Sequence, residues 1–169
     1  MLLLEPQSTA HAAEMFEVLS DPAIYEFENS PPESPGWLER RFAQLESRVS
    51  PNGQEQWLNW VIRLPTGALA GYVQASVAPD HTAFVAYELG SRFWRKGIGS
   101  AAVSAMLAEL AGTYAVRTFV ATLKARNYRS AALLKSLGFE PGAPPGAREI
   151  PAEPDEIVMH KVNENLAAN

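Results

Sequence analysis

The chain has 169 residues, 47% of them hydrophobic and 20% charged, which is the composition of one globular domain and excludes a disordered or fibrous protein. Lys and Arg number 14 against 19 Asp and Glu, a net charge of −5 that argues against non-specific binding to nucleic acid or to an anionic membrane surface. Cysteine is absent, which removes disulfides, thiolate metal sites and a Cys nucleophile. His11, His81 and His160 show no ligand spacing, so no metal site is expected. The start lacks a basic segment followed by a long apolar run, and no stretch reaches the length of a membrane span. The expectation is a soluble cytoplasmic protein.

Leu2 to Leu4, closed by Glu5-Pro6, reads as a first strand. Ser8 or Thr9 caps a helix through Leu19, with Ala12, Met15, Phe16 and Leu19 on one face. Asp21-Pro22 is a second start signal, a capping carboxylate followed by Pro at the first helical position. Ser34-Pro35 is a third, and Trp37, Leu38, Arg41, Phe42 and Leu45 follow at helical spacing. Three strands then succeed one another over 57–64, 68–77 and 82–89. Pro65-Thr66-Gly67 and Pro79-Asp80 turn them, so they form an antiparallel meander. Residues 98–110 form a helix that is apolar nearly all round and is expected to be buried. Val116 to Leu123 is a β-rich apolar run suited to a strand covered on both faces. Asn127 to Leu137 is a further helix, stopped by Gly138. Phe139 opens a last strand pair, interrupted by the Pro-rich stretch 141–154 and completed at 157–162. No internal repeat and no domain boundary is visible. The fold class is α/β, with a mixed, mostly antiparallel sheet of six or seven strands flanked by helices.

The segment with chemistry in it is Trp94-Arg95-Lys96-Gly97-Ile98-Gly99-Ser100-Ala101, which follows a strand and opens a helix. Two glycines let the backbone turn and approach a ligand closely. The helix start offers unpaired N–H groups, and Arg95 and Lys96 add positive charge. This is the recipe for a pyrophosphate cradle, although a plain strand-to-helix turn also needs glycine. Gly97-x-Gly99-x-x-Ala102 fits a dinucleotide fingerprint too. That reading needs an acidic residue about 20 positions on, and no Asp or Glu lies between Glu109 and Glu140. The meander wiring and the short remaining chain also oppose it.

The second half of the constellation is Asn127-Tyr128-Arg129-Ser130-Ala131-Ala132-Leu133-Leu134-Lys135-Ser136-Leu137-Gly138-Phe139. A glycine loop, a helix and strand, then N-x-x-S-x-x-L-x-x-x-L-G-F together resemble the GNAT superfamily of acyl-CoA-dependent N-acetyltransferases. Phe93-Trp94-Arg95-Lys96-Gly97 and Leu19-Ser20-Asp21-Pro22-x-x-Tyr25 are similar to its RimJ/RimL branch, named for enzymes that acetylate the N-termini of ribosomal proteins. The resemblance covers residues 2–162. It implies a single acyl-CoA N-acyltransferase domain over 1–169 that moves an acetyl group from acetyl-CoA to a primary amine by direct attack in a ternary complex. The two motifs are specific only in combination. Two positions depart from the superfamily pattern. Trp94 stands where Gln or Arg is frequent, and Leu134 stands where many members carry a Tyr general acid. A non-catalytic acyl-CoA-binding module on the same fold is the alternative that Leu134 keeps open.

The resemblance also assigns roles. The cradle comprises the backbone of Arg95, Lys96, Gly97, Ile98, Gly99 and Ser100. Leu89 offers backbone contacts to the pantetheine arm, and Asn127 its amide, although Asn127 is equally a helix N-cap. Ser130 is the candidate donor to the CoA sulfur, and Tyr128 is a weaker acid candidate. Glu88, near the end of the strand entering the cradle, is the candidate base, and an exposed strand carboxylate is its plain alternative. Arg126 and Arg129 either reach the 3′-phosphate or lie in solvent. Residues 21–36 carry Asp21, Glu26, Glu28 and Glu33, with no Lys or Arg. The stretch suits a cationic acceptor, or is simply an acidic loop. The acceptor stays open among N-terminal peptide, amino acid, polyamine and aminoglycoside, and a homodimer stays open as well.

Overall fold

The computed structural model describes residues 1–147 and 149–163. The strands are β1 Leu3–Pro6, β2 Gln56–Arg63, β3 Leu69–Val77, β4 Thr82–Leu89, β5 Thr118–Lys124, β6 Glu140–Pro141 and β7 Glu156–Val162. The helices are α1 Ala12–Leu19, α2 Pro35–Leu45, α3 Ile98–Thr113 and α4 Tyr128–Ser136. One mixed sheet has the order β1-β2-β3-β4-β5-β7-β6. β1 to β4 are an antiparallel meander. β5 returns parallel to β4 through the α3 crossover, and β7 and β6 complete the sheet antiparallel.

Three of the caps read from the sequence are made by the side chains named. Asp21 Oδ1 accepts from the Ala23 N–H at 3.0 Å. Ser34 Oγ accepts from Trp37 at 3.0 Å, and Asn127 Oδ1 from Ser130 at 3.2 Å. The first helix differs from the pattern at its start, where Thr9–His11 is a 3₁₀ turn. The Ser8 N–H donates to His11 Nδ1 at 3.0 Å, so an imidazole closes the capping box in place of the usual Glu or Gln. The element started by Asp21-Pro22 is a single 3₁₀ turn, Pro22–Tyr25, which buries only Ile24. One anchor is too little apolar area to hold a longer helix.

The helix expected to be buried all round is not. Ala102, Val103, Met106, Leu107 and Leu110 of α3 are buried, whereas Ala101, Ala105 and Ala108 are exposed. Alanine counts as apolar in a periodicity, yet one methyl leaves little area to hide, so a helix face of alanines tolerates water. β6 has only two residues and ends at Pro141, which has no N–H to extend the ladder.

Each face of the sheet has its own core. Leu58, Trp60, Ile62, Val73, Val85 and Leu89 pack against α3 and α4. Val61 and Leu69 pack against Met15, Leu19, Leu38 and Phe42 of α1 and α2. Directly paired residues share a face, and Val61 pairs with Tyr72, which pairs with Glu88. Glu88 therefore faces the α1–α2 side and Tyr87 the α3–α4 side. Trp94 packs against both cores at the end of the sheet.

Candidate active site

β4 and β5 pair only from Thr82–Phe84 to Thr118–Val120, although β4 runs on to Leu89 and β5 to Lys124. β5 pairs with β7 along its whole length, so its far end follows β7 and leaves β4. The gap opens into a cavity of about 480 Å³. Because the sheet is parted there, residues from both of its faces line one space, Tyr87 from one side and Glu88 from the other.

The glycine loop closes one end. Arg95 (φ 60°) and Gly97 (φ 77°) are both left-handed, which curls the chain sharply before α3. Gly97 caps α3 without any side-chain bond, and the first helical bond runs from the Ala101 N–H to the Gly97 carbonyl. The N–H groups of Ile98, Gly99 and Ser100 thus have no partner within the helix. A Cβ on Gly97 would meet nothing, so glycine there serves the backbone angle. A Cβ on Gly99 would lie 3.0 Å from Leu133 Cδ1 and 3.2 Å from Leu89 Cδ1, so glycine there keeps the cavity neck open. Arg95, Gly97, Gly99 and Ser100 line the cavity; Lys96 and Ile98 do not.

β4 supplies backbone groups on the open side. The Gly90 N–H bonds to Ala70 of the β3 side, so by alternation the polar groups of Val85, Tyr87 and Leu89 point toward the gap. Those of Leu89 already have partners. Its N–H donates to Glu88 Oε1 at 3.3 Å, and its carbonyl accepts from Trp94 Nε1 at 3.1 Å. Past the last β4–β5 pair, Phe84–Val120, the gap is faced by the carbonyl of Val85 and by the N–H and carbonyl of Tyr87.

α4 contributes its first turn. With the Asn127 carbonyl oxygen engaged as N-cap, its Nδ2 makes no bond to another group among the described residues, and Asn127 lines the cavity. The Tyr87 hydroxyl donates to Ser130 Oγ at 3.3 Å, which leaves the serine proton free to donate onward. Burial raises the Tyr87 pKa, opposed by that bond to Ser130, so Tyr87 stays a donor. Tyr128, the acid candidate read from the sequence, is 78% exposed and is not brought into the cavity. Leu134 is 3% exposed, a core residue at the cavity floor. Tyr87, not singled out in the sequence because strand alternation sets it opposite Glu88, places a phenol in the cavity beside Ser130.

The other end is acidic. Burial raises the Glu88 carboxyl from 4.5 to about 7. The Leu89 N–H opposes this, Glu28 adds to it, Arg129 opposes and Asp21 adds. Glu88 is therefore poised to exchange a proton near neutral pH. Tyr72, paired with Glu88 across the strands, is raised by burial and by the Glu88 charge. Tyr25, pushed up to about 12 by burial and then by Glu88, donates to the Leu19 carbonyl at 2.5 Å. Both phenols are donors rather than bases. Burial would raise Asp21, but bonds from Ser91 and Ala23 outweigh it and hold it down; the Ser91 N–H meets Asp21 Oδ2 at 2.7 Å. Burial also raises Glu28, a cavity-lining residue. Arg126 and Arg129 are both exposed, and their guanidinium carbons lie 5.5 and 5.6 Å from the centre of the Phe27 ring. No sequence signal pairs residues a hundred positions apart.

Among the described residues no group of three or more metal-binding side chains occurs, and no helix is long and apolar enough to cross a membrane. A cavity that threads a parted sheet, from free N–H groups at a helix start to a carboxylate near neutrality, can hold an anionic group at one end and exchange a proton at the other. The chain belongs to the GNAT acetyltransferase family, whose domain matches residues 1–140. It is an acetyltransferase and uses acetyl-CoA as co-substrate. No curated protein matches it in sequence. Among solved structures it is similar to ribosomal-protein-S5-alanine acetyltransferase from Vibrio fischeri, at 22% identity and TM-score 0.78 over 98% of this chain and 94% of that one. It is also similar to RimL, a ribosomal L7/L12 alpha-N-protein acetyltransferase in complex with coenzyme A, at 16% identity and TM-score 0.78 over 95% and 93%. A third is the microcin C7 self-immunity acetyltransferase MccE in complex with acetyl-CoA and AMP, at 21% identity and TM-score 0.78 over 96% and 92%.

Proposed function

We propose that residues 1–169 form one N-acetyltransferase domain of the RimJ/RimL-like branch, whose acceptor is a primary amine of a protein N-terminus or a small molecule. The observation that carries this is the parted β4–β5 edge, which joins the glycine loop and Glu88 in one cavity. The cradle accepts an anionic cofactor on physical grounds. The α3 start presents free N–H groups with Arg95 beside them, and Gly99 leaves space where any Cβ would crowd Leu133 and Leu89. Acetyl-CoA, when bound, supplies the acetyl group as a thioester.

The residues divide the remaining work. The backbone of residues 95–100 holds the pyrophosphate. The backbone of Tyr87 and Val85 and the Asn127 amide hold the pantetheine arm, with Leu89 as a wall rather than a donor. Glu88 takes the amine's proton. An α-amine titrates near 8 and a Lys side chain near 10.4, so a carboxylate at about 7 suits the α-amine better. Ser130, backed by the Tyr87 hydroxyl, donates to the leaving sulfur. This pair answers the reason for a non-catalytic reading, because a donor is present although position 134 is Leu.

The acidic balance of the chain disfavours nucleic acid and anionic membrane surfaces as partners, and a cytoplasmic location is part of the proposal. The test is acetyl-CoA-dependent thiol release over a panel of free N-terminal peptides, amino acids, polyamines and aminoglycosides. Turnover with at least one amine is expected. Tight acetyl-CoA binding without turnover of any amine would return the chain to an acyl-CoA-binding module.

A further inference from the structure

Residues 26–28, which follow the Pro22–Tyr25 turn, cross to the far side of the cavity and end in a clasp. Arg129, in the first turn of α4, has its guanidinium carbon over the Trp94 ring at 4.1 Å from its centre. The same guanidinium sits 5.6 Å from the Phe27 ring and reaches Glu26 Oε2 at 3.4 Å. Arg126 takes the other approach to Phe27, at 5.5 Å. Trp94 is itself fixed, since its indole N–H holds the Leu89 carbonyl and its ring packs against both cores. Ile24, Phe27, Glu28, Trp94 and Arg129 all line the cavity. One side chain therefore binds the wall of the acceptor end to the first residue of the glycine loop.

An exposed Glu–Arg pair alone contributes little, and Arg129 keeps 43% and Glu26 58% of its side chain exposed. The cation–ring contacts matter more. One guanidinium within about 6 Å of two aromatic rings attracts both, and its planar face suits a ring better than the point charge of an ammonium. Among the hydrogen bonds, ion pairs and cation–ring contacts of the described residues, Arg129 is the one α4 residue tied to Glu26 and Phe27, with Arg126, just before α4, as a second contact to Phe27.

We propose that Arg129 is a positioning residue for the acceptor: it locks segment 24–28 against Trp94 and so sets the width and charge of the acceptor end. The proposal rests on the acetyltransferase reading given above. It differs from a phosphate-binding role for Arg129, which would act on the other substrate.

Arg129→Ala and Arg129→Lys would be compared with the wild type, using the amine turned over fastest in the panel and acetyl-CoA as the paired substrates. For Arg129→Ala the KM for the amine should rise about 2- to 30-fold, the worth of one such cation–ring contact. The acetyl-CoA Kd by calorimetry should stay within about twofold. Amide hydrogen exchange over residues 24–28 should accelerate in Arg129→Ala relative to the wild type, with that of the β2 and β3 core unchanged. Arg129→Lys, which keeps a charge over Trp94, should recover part of the amine KM. A weakened acetyl-CoA Kd with an unchanged amine KM would overturn the proposal in favour of phosphate binding. Unchanged exchange over 24–28 in a folded Arg129→Ala variant would overturn the clasp itself. Exchange needs no turnover, so faster exchange in a protein that acetylates no amine would sustain the clasp and count against the acetyltransferase reading alone.

Discussion

Replacing Glu88 with Gln separates chemistry from structure, because activity and stability should move in opposite directions. The side chain is nearly isosteric, so the cavity keeps its shape. A positioned base is worth about 10²–10⁴ in rate, and kcat/KM for the best amine should fall by that factor at pH 7. The wild-type profile should rise through about pH 7 as Glu88 loses its proton, a midpoint set by burial together with Glu28, Arg129 and Asp21. The variant should lack that limb and recover partly at higher pH, where more amine is already neutral. Stability follows the proton. The folded carboxyl binds it more tightly than the unfolded one, about 7 against 4.5. That contribution is complete below about pH 4.5 and is lost as pH rises through 7. At pH 8 the buried carboxylate is a liability of up to about 3 kcal/mol. Glu88→Gln should therefore melt several degrees above the wild type at pH 8, at about 2–4 °C per kcal/mol for a chain of this size, with the difference shrinking by pH 5. Thiol-release kinetics from pH 6 to 9 and calorimetry at pH 5 and 8 check both halves. A fully active variant whose pH profile overlays the wild type would remove Glu88 from the mechanism. A melting difference independent of pH would show that its carboxyl is not held near 7.

Three further perturbations address other parts of the molecule. Gly99→Val crowds Leu133 and Leu89 in the cavity neck, and calorimetry should show acetyl-CoA affinity lost in a folded protein; Gly97→Val, strained at φ 77° but with open space around it, should weaken binding through the loop, and NADPH should compete with acetyl-CoA in neither the variants nor the wild type. Tyr87→Phe and Ser130→Ala each break the donor pair at the leaving sulfur, so kcat should drop about 2- to 100-fold without recovery at high pH, and the double variant should cost less than the two singles combined. Glu5, held down to about 2 by its bonds to Arg63 and, less strongly, to His11, stabilises the β1–β2 edge above about pH 4.5 and loses that effect as pH falls through 2. Glu5→Gln should lower the unfolding free energy from denaturant titration at pH 7 by no more than about 1 kcal/mol, since both partners are about a third exposed, and the gap to wild type should close in acid.

The sequence was most legible where one residue dictates a local geometry. Thr82–Leu89 is a strand over the span its alternation predicts, and Asp21, Ser34 and Asn127 each cap the turn they precede. The α3 reading failed on alanines, whose pattern looks apolar without demanding burial. The site was half legible. Its glycine loop and α4 motif are contiguous in sequence, and Glu88 stands out as a carboxylate in an apolar strand. Tyr87 was hidden by the rule that made Glu88 visible. Alternation places the two on opposite faces, and only a sheet parted at β5 lets both reach one cavity. Arg129 was hidden by distance, since its partners Glu26, Phe27 and Trp94 lie on two other segments of the chain.

The parted edge also makes the free protein two pieces of sheet. β1 to β4 cohere through long antiparallel ladders, and so do β5 and β7, but the two groups share only the three residue pairs from Thr82–Phe84 to Thr118–Val120. Beyond them, peptide groups on both strands face water where a ladder would otherwise run. A ligand whose own amides fill that slot acts as an eighth strand supplied from solution, and mass action converts its binding into cohesion between the halves. At a hundred times its dissociation constant such a ligand adds about 2.7 kcal/mol to the folded state. The gain should appear as slowed amide exchange at Tyr87 and along the far end of β5. On that reading the bound state has one continuous sheet where the free protein has a slot, and the cohesion of the two halves becomes a measure of how fully the site is loaded.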